Sequence, residues 1–206
     1  MEKSSDRLPT SVIRRLVSYH SLLSEAEQNG VLAIASAKLA LRLALDASQV
    51  RKDLQLLHYR GKRNVGYSVT ALRKAIEQAL GFHQLKKVVI LGAGNLGMAL
   101  AKFSDFASYG IKIVALFDQD PLKIGLKLYD LEVYQLKQLP EVVKAEGVEM
   151  AIITVPKNSA QKVADFAIQA GIKYLWNFAP LMIEVPEGIR VQHENLVGNF
   201  LAFTIY

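Results

Sequence analysis

Apolar residues recur at steps of three and four along the first eighty positions, the spacing of amphipathic helices. The first predicted helix begins at Pro9 and ends at Asn29-Gly30. Its apolar face consists of Val12, Leu16, Tyr19 and Leu23. A fourth helix ends at Gly81 and carries Leu72, Ile76, Ala79 and Leu80 on one face. Both faces predict packing into a common core.

Two shorter helices are predicted between these. Ser36 is expected to cap the second, whose inward residues are Leu39, Ala40 and Leu43. Asp46 is expected to cap the third, whose inward residues are Val50, Leu54 and Leu57. Three short, tightly joined helices of this kind are typical of a helix-turn-helix.

The outer face of the third helix is polar and cationic. It carries Ser48, Lys52 and Gln55, flanked by Gln49 and Arg51, residue types that suit base edges and phosphates in a major groove. A solvated amphipathic helix would show the same pattern. The next segment, YRGKRNVGY (59–67), favours DNA, because a basic hairpin with Arg60, Lys62 and Arg63 at its tip is expected to form a wing against the backbone.

Charge is distributed unevenly along the 206 residues. Residues 1–80 carry 13 Lys and Arg against 7 Asp and Glu, whereas residues 81–206 carry 12 of each, so the net charge of +6 belongs to the first part. This asymmetry is consistent with a polyanionic partner, although an ordinary soluble surface would also account for it. The chain has no cysteine, which excludes disulfides and thiolate metal sites, and no metal site is expected. The polar start MEKSSDRLPT and the lack of a long apolar run favour the cytoplasm.

In the second part of the chain, short apolar runs alternate with helical spacing, which predicts a Rossmann-type, doubly wound parallel sheet. A strand at Val88–Leu91 precedes Gly92, Gly94 and Gly97, with Ala93, Asn95 and Leu96 between them. The glycines permit a tight turn, close approach of a pyrophosphate and close packing of helix on strand. This placement between strand and helix makes GxGxxG a credible dinucleotide motif.

A second strand, IKIVALF (111–117), ends at Asp118, the expected acceptor for an adenosine ribose. The acidic neighbours and absent arginine favour NAD over NADP. Further alternation predicts strands in 148–156 and 172–180 and a helix in 159–171. The residues expected to line the nicotinamide end are Thr154, Val155, Pro156, Asn177, Phe178, Ala179 and Pro180, although Phe178 could equally be core. With no carboxylate in those two loops, we expect NADH to bind more tightly than NAD⁺.

Catalytic machinery is not evident. The four histidines, His20, His58, His83 and His193, all fall outside the segments expected at the strand ends. We therefore expect binding without turnover and no catalytic residues. The alternatives are a small NAD-dependent oxidoreductase with a basic N-terminal extension, and a nucleotide- or coenzyme-A-binding module that serves only in protein assembly.

Six stretches together resemble the Rex family of redox-sensing transcriptional repressors over nearly the whole chain. They are SQVRKDL (48–54), GKRNVGY (61–67), LGAGNLG (91–97), FDQDPLKIG (117–125), ITVPKNSAQKVAD (153–165) and NFAPLMIEVP (177–186). The resemblance implies a homodimer that represses transcription by binding palindromic operators through winged helices, with NAD(H) in the Rossmann domain and NADH releasing the DNA. It implies a winged-helix domain at 1–81, a Rossmann domain at 82–190 and a domain-swapped C-terminal helix within 191–206.

The chain departs from that family at several positions. Leu57-His58 stands where the family tends to have Phe-Gly, and Asn64 where Gly is usual. Ser21, Phe103 and Asn195 stand where the family has an arginine, a tyrosine and an aspartate that couple the domains. Since these three cannot form the same ion pair, the resemblance implies either another route of communication or a blunted response to NADH.

Overall fold

Residues 8–63, 65–128 and 130–205 are described by a computed structural model, in which the chain divides into two units, residues 1–83 and 84–206. The sequence placed this boundary at residue 81. The first unit is a winged helix-turn-helix. Its elements are α1 (Thr10–Gln28), β1 (Ala33–Ile34), α2 (Ser36–Arg42), α3 (Ala47–Leu56), β2 (Tyr67–Ser68) and α4 (Val69–Leu80).

The core of the first unit is formed by the apolar faces that the helical spacing predicts. The predicted inward residues of α1 are all buried, and α2, α3 and α4 contribute Leu39, Val50, Leu54, Leu72 and Ile76. Antiparallel pairing of β1 with β2 closes the unit. Gly30 and Gly81 follow α1 and α4 in left-handed conformation, as glycines after helices commonly do.

Three local predictions in this unit were wrong in detail. Ser36 is the first residue of α2 and Ala35 occupies the cap position, because the helix starts one residue earlier than expected. Ala79, predicted to face inward, is exposed at the end of α4. Leu43 and Leu57 follow the last turns of their helices and pack, half-buried, against the core, as predicted. The predicted hairpin at 59–67 is reduced to one antiparallel bridge, Lys62 with Gly66, since Tyr67 pairs with β1 instead. Asn64 lies outside the described residues.

The second unit is a seven-stranded sheet in the order β5-β6-β4-β3-β7-β8-β9, parallel except for β5. Its strands are β3 (Lys86–Leu91), β4 (Ile111–Asp118), β5 (Lys127–Leu128), β6 (Leu131–Gln135), β7 (Met150–Ile153), β8 (Tyr174–Asn177) and β9 (Arg190–His193). Its helices are α5 (Asn95–Ala101), α6 (Asp105–Ser108), α7 (Leu139–Glu146), α8 (Lys157–Gln169) and α9 (Leu196–Thr204), with a 3-10 turn at Leu136–Gln138.

Two apolar layers cover the central strands. One face packs against α7 and α8 around Phe117, Ile153 and Leu175, and the other packs against α5 and α6 around Ile90 and Leu116. The order of strands reverses at β3, which has β4 on one side and β7 on the other. In open α/β sheets, ligands bind at such a switch point, beyond the carboxyl ends of the strands.

Candidate DNA-reading and dinucleotide sites

Helix α3 divides into a buried side and an exposed side. Val50 and Leu54 have no exposed surface and anchor the helix in the core. The exposed side carries four of the predicted DNA-contacting residues: Ser48, Arg51, Lys52 and Gln55. A helix held from behind in this way can enter a major groove without losing its packing.

A buried carboxylate, which the sequence pattern did not reveal, fixes α3 on α1. Asp53 is 1% exposed, and its two oxygens accept hydrogen bonds from Arg15 Nε at 2.6 Å and Arg15 Nη2 at 2.8 Å. Tyr19 donates its hydroxyl at 2.8 Å and Gln49 its amide at 2.8 Å. Gln49, predicted to contact DNA, therefore uses its amide inside the protein.

The pKa shifts of Asp53, Tyr19 and Arg15 follow from how these side chains pack. Burial raises the pKa of Asp53, but the hydrogen bonds from Arg15, Tyr19 and Gln49 outweigh burial and hold that pKa below its usual value. Burial, followed by the hydrogen bond to Asp53, raises the pKa of Tyr19. The pKa of Arg15 is raised by its hydrogen bond to Asp53. The cluster is thus a carboxylate held by three donor side chains, two of which tie α3 to α1.

The helices α2 and α3 end in the same backbone motif. After α3, His58 N donates to Gln55 O at 2.9 Å and Tyr59 N to Leu54 O at 3.3 Å, while His58 has φ of 52°. After α2, Ala44 has φ of 51° and Leu45 N donates to Ala40 O at 2.9 Å. Glycine is the usual residue at this left-handed position. His58, which stands where the family tends to have glycine, therefore adopts a conformation that strains the backbone of a residue with a side chain.

The wing presents its cations to solvent. Arg60, Lys62 and Arg63 are all exposed. Gly66 brings the returning chain against β1, where a Cβ would lie 2.5 Å from the carbonyl oxygen of Ile34. An open groove of about 480 Å³ lies between Ser36 and the wing residues Lys62 and Arg63. Its two lining cations suit contact with a phosphate backbone.

The glycine-rich turn is shaped by close backbone contacts. A Cβ on Gly97 would lie 2.0 Å from the carbonyl oxygen of Gly92, and a Cβ on Gly92 would lie 2.8 Å from that of Thr154. Gly94, in contrast, has no atom within 4 Å of a Cβ position. Gly92 and Gly97 are therefore required by packing, whereas a side chain at Gly94 would project into open space. Ala93 is buried, while Asn95 and Leu96 are exposed in the first turn of α5.

Two side chains hold this turn in place. Thr154 donates its hydroxyl to Gly92 O at 2.8 Å, which links the end of β7 to the turn. Asp118, the last residue of β4, accepts from Ala93 N at 2.8 Å through Oδ2. Its Oδ1 accepts from Gln119 N at 2.8 Å and Asp120 N at 2.9 Å. The carboxylate is thus fixed at the end of β4, beside the glycine-rich turn, and ribose recognition by Asp118 stays a prediction.

A cation also lies beside this carboxylate, a contact that the sequence argument missed. Lys123 Nζ is 3.0 Å from Asp118 Oδ2 and 3.9 Å from Asp120 Oδ2. Burial raises the pKa of Asp118, but hydrogen bonds from Asp120 N, Lys123 and Ala93 N outweigh it, so the pKa is lowered. The expected repulsion of a 2′-phosphate is therefore weaker than the acidic residues alone suggest.

Six of the predicted coenzyme residues line one cavity of about 500 Å³ at the switch point. They are Gly92, Gly94, Asp118, Thr154, Val155 and Pro156. The cavity also includes Phe117, Lys123 and Leu136. Its mixed lining, with a carboxylate, a glycine turn and apolar walls, suits the adenosine and phosphate part of a dinucleotide.

Three of the residues predicted for the nicotinamide end line a second cavity. Phe178, Ala179 and Pro180 line a space of about 470 Å³ together with His193 and Glu194. Asn177 is fully buried, and its amide binds backbone groups of residues 179 and 181. Two expectations were incomplete here. His193 does lie at the strand ends, because β9 pairs in parallel with β8. Glu194 supplies a carboxylate beside the loops at 154–156 and 177–180, which have none of their own.

The three positions that depart from the family's coupling residues occupy distinct environments. Ser21 is exposed on α1. Phe103 is 52% exposed and packs edge-on against Phe106 at 5.1 Å between ring centroids. Asn195 caps α9, since its Oδ1 accepts from Gly198 N at 2.8 Å. The residues at 103 and 195 are thus engaged locally, within the second unit.

Within 8–63, 65–128 and 130–205, no group of three or more metal-ligating side chains comes together. Over the same residues, no helix has the length and apolar character needed to cross a membrane.

Each of the two units matches a known protein family. Residues 7–55 match the family model of the putative DNA-binding protein N-terminus, and residues 83–181 match that of the CoA binding domain. Redox-sensing transcriptional repressor Rex of Clostridium botulinum is 39% identical over 95% of this chain and 93% of its own. The Rex of Chloroflexus aurantiacus is 39% identical over 100% of this chain and 97% of its own.

Solved structures of another protein, RSP, are also similar to this chain over nearly its whole length. RSP in complex with β-NAD⁺ and operator DNA has a TM-score of 0.89 and 33% identity, covering 96% of this chain and 91% of that one. RSP in complex with β-NADH has a TM-score of 0.86, with 96% and 92% covered. The fold and sites thus define a winged-helix protein joined to a Rossmann-type nucleotide domain. The chain belongs to the Rex family of redox-sensing transcriptional repressors.

Proposed function

We propose that this protein is a DNA-binding repressor that senses the NADH/NAD⁺ ratio, with NADH in the Rossmann unit causing release from palindromic operators. The observation that carries the proposal is the pairing of two sites in one chain. One is the exposed polar and cationic side of α3, and the other is the cavity at the switch point. The relative RSP, which binds NAD⁺, NADH and operator DNA, supports it.

The reading surface would comprise the exposed side of α3 and the wing. Ser48, Arg51, Lys52 and Gln55 would meet base edges and phosphates, and Arg60, Lys62 and Arg63 would meet the backbone. Gln49 would act indirectly, through its hydrogen bond to Asp53. The groove beside Ser36 would accept a phosphate at the base of the wing.

The coenzyme would lie with its adenosine against Asp118 and its pyrophosphate over Gly94, where a Cβ has free space. Its nicotinamide would approach Val155 and Phe178. The oxidised ring carries a positive charge and the reduced ring does not, so an apolar environment favours NADH. Glu194, whose Oε1 accepts from Trp176 Nε1 at 2.8 Å, would reduce this preference. Calorimetry with both coenzymes measures the difference, and equal affinities would remove the basis for sensing.

Assembly as a homodimer through the C-terminal helix forms part of the proposal. The described apolar residues of α9 and its end are exposed: Leu196, Val197, Phe200, Leu201, Phe203 and Ile205. A second apolar surface of the same unit, a cleft of about 740 Å³ along β7, β8 and β9, is also uncovered. Apolar surfaces of this extent usually mark an interface. Phe200→Glu should shift the sedimentation of the protein towards the monomer.

No turnover is proposed, and as a repressor the protein would act in the cytoplasm, where operators and nicotinamide coenzymes meet. The oxidoreductase alternative has a direct test, because it requires steady consumption of NADH in the presence of a carbonyl substrate. His193 would then be the first residue to replace, since it lies at the strand ends.

Fluorescence polarisation of a labelled palindromic duplex tests the main proposal. The duplex is titrated with the protein at fixed NADH/NAD⁺ ratios and constant total coenzyme, with a scrambled duplex as the control. We expect tight binding with NAD⁺, progressive release as NADH replaces it, and weak binding of the scrambled duplex throughout. Operator occupancy that does not change with the ratio would contradict the sensing function, even if DNA and coenzyme both bind.

A further inference from the structure

The loop that carries the predicted nicotinamide contacts and the start of the C-terminal helix face each other within the second unit. Residues 178–182 form one wall of the cavity of about 470 Å³, and residues 193–197 form the other. Helix α9 begins at Leu196, within that second wall. A change in either wall therefore alters the space that the other must fit.

A single buried amide fixes the first wall. Asn177 is 0% exposed, and its Nδ2 donates to Leu181 O at 2.8 Å and Ala179 O at 3.2 Å. Its Oδ1 accepts from Ala179 N at 3.0 Å. These backbone partners determine which end of the amide is nitrogen, because turning it over would place oxygen against two carbonyl oxygens.

The same amide reaches the second wall. Asn177 Nδ2 is 3.1 Å from His193 Nδ1. The backbone of the same residue also takes part, since Glu194 N donates to the main-chain carbonyl oxygen of Asn177 at 2.8 Å. Glu194 in turn accepts from Trp176, and Asn195 caps α9 through Gly198 N. An unbroken run of hydrogen-bonded residues thus leads from the loop to the first turn of the helix.

We propose that Asn177 and His193 are a pair of positioning residues that transmit the arrangement of loop 178–182 to the first turn of α9, and that only the neutral imidazole makes this link. The inference rests on the proposed function, since it concerns how coenzyme in that loop would alter the rest of the protein. This route from the loop to α9 does not need an ion-pair network at Ser21, Phe103 and Asn195.

The requirement for a neutral ring follows from the direction of the hydrogen bond. An amide nitrogen only donates, and the two hydrogens of Asn177 Nδ2 face three acceptors, so the contact with His193 is one branch of a shared hydrogen bond. In that bond His193 Nδ1 accepts, which places the ring proton on Nε2. An imidazolium carries a proton on both nitrogens and would face the Asn177 amide with two donors. Among the described residues that line the cavity, Glu194 is the other titratable group. Acid that protonates this ring should therefore weaken the link.

The test compares the wild-type protein with His193→Gln, whose side-chain oxygen can accept the same hydrogen bond without titrating. The operator Kd is measured with NADH and with NAD⁺ from about pH 8 down to about pH 6, within the range in which histidine titrates. His83→Gln, an exposed position in the first unit, is the matched control. Amide hydrogen exchange at Ala179 and Glu194, corrected for intrinsic rates, provides a second measurement that needs no DNA.

In the wild-type protein and His83→Gln, we expect the ratio of the two Kd values to fall about threefold to tenfold towards acid, the range that one hydrogen bond supplies. In His193→Gln the ratio should stay near its value at high pH. Exchange at Ala179 and Glu194 should accelerate towards acid in the wild type and not in His193→Gln. Identical pH profiles in the two proteins would overturn the inference.

Two further outcomes separate this inference from the proposed function. If NADH has no effect on DNA binding at any pH, the sensing function fails, and the exchange comparison alone decides whether the link exists. If His193→Gln does not fold, exchange in the wild type decides: acceleration at both amides towards acid supports the link, and constant exchange overturns it.

Discussion

The two units of this protein hold their functional groups by different means. In the winged-helix unit, α3 is held by a buried carboxylate, Asp53, which receives hydrogen bonds from Arg15, Tyr19 and Gln49. In the Rossmann unit, the turn at 92–97 is held by backbone atoms in contact, and Gly92 and Gly97 are required because no side chain fits. The first arrangement depends on charge and the second on volume. Removing one charge should therefore damage the first unit, and adding one methyl group should damage the second.

The largest effect is expected from volume. Gly97→Ala places a methyl group 2.0 Å from the Gly92 carbonyl oxygen, a backbone atom, so the turn itself must shift. Overpacking of this severity should cost about 3 kcal/mol or more in unfolding free energy and abolish NADH binding. Thermal unfolding and calorimetric titration with NADH measure both.

Gly94→Ala is the matched control for that variant. A Cβ at residue 94 meets no atom within 4 Å, so the folded protein should keep its stability and lose only coenzyme affinity. Equal damage from the two variants would show that the glycines do not divide into a packing role and a ligand role.

The charge arrangement is tested by Asp53→Asn. The change leaves Arg15 without its carboxylate, and because that arginine is 25% exposed we expect a loss of about 2–3 kcal/mol, below the range for a fully buried pair. Since the folded-state pKa of Asp53 is lowered, its contribution should be present above about pH 4 and lost as the pH falls below that value.

Urea unfolding at several pH values measures this contribution, with NADH binding followed in parallel. The wild type should lose stability in acid more steeply than Asp53→Asn, and coenzyme affinity should be unchanged in the variant. Parallel acid profiles would show that Asp53 does not contribute through its charge.

A smaller effect is expected at the exposed side of α3. Lys52→Ala removes a cation from the reading surface without touching the core, so operator affinity should fall about tenfold and the log–log salt slope by about 0.9. Polarisation titrations at several salt concentrations measure both, and Lys38→Ala, an exposed lysine of α2, is the control. Unchanged operator affinity would count against this placement of the helix.

The smallest effect concerns the helix ends. Ala44 and His58 adopt left-handed conformations that glycine adopts freely, so Ala44→Gly and His58→Gly should each raise the unfolding free energy by up to about 1 kcal/mol. Gly30→Ala, at the corresponding position after α1, should do the opposite. Chemical denaturation measures all three. Destabilisation by both glycine variants would mean that the two side chains make contacts worth more than the strain.

Much of the fold was predictable because its signals are local. The helical period and the Gly30 and Gly81 stops located α1 and α4, and a strand before GxGxxG located β3. Asp53 was missed because one acidic residue beside a helical apolar face looks solvated until its partners on α1 are known. His193 was misplaced because its neighbour, Asn177, is brought beside it only by the parallel pairing of β8 and β9.

Other elements gave no clear local pattern. The strands β5 and β6 and the helix α7 were not predicted, since the strands are short and the helix begins with Leu139-Pro140 after a 3-10 turn. Lys123 was overlooked because its contact with Asp118 depends on how the chain folds back after β4. Contacts between residues distant in sequence thus account for most of what the pattern did not show.

The chain has one tryptophan, Trp176, and its ring lies 4.7 Å from that of Phe178 and 6.4 Å from that of Phe106. Indole emits light in the range that reduced nicotinamide absorbs, and the oxidised ring does not absorb there. A coenzyme ring beside Phe178 would therefore quench Trp176 by energy transfer in one redox state only. With the ring placed there, Trp176 would serve as an intrinsic optical probe of NADH occupancy in solution, without a dye or a fusion partner.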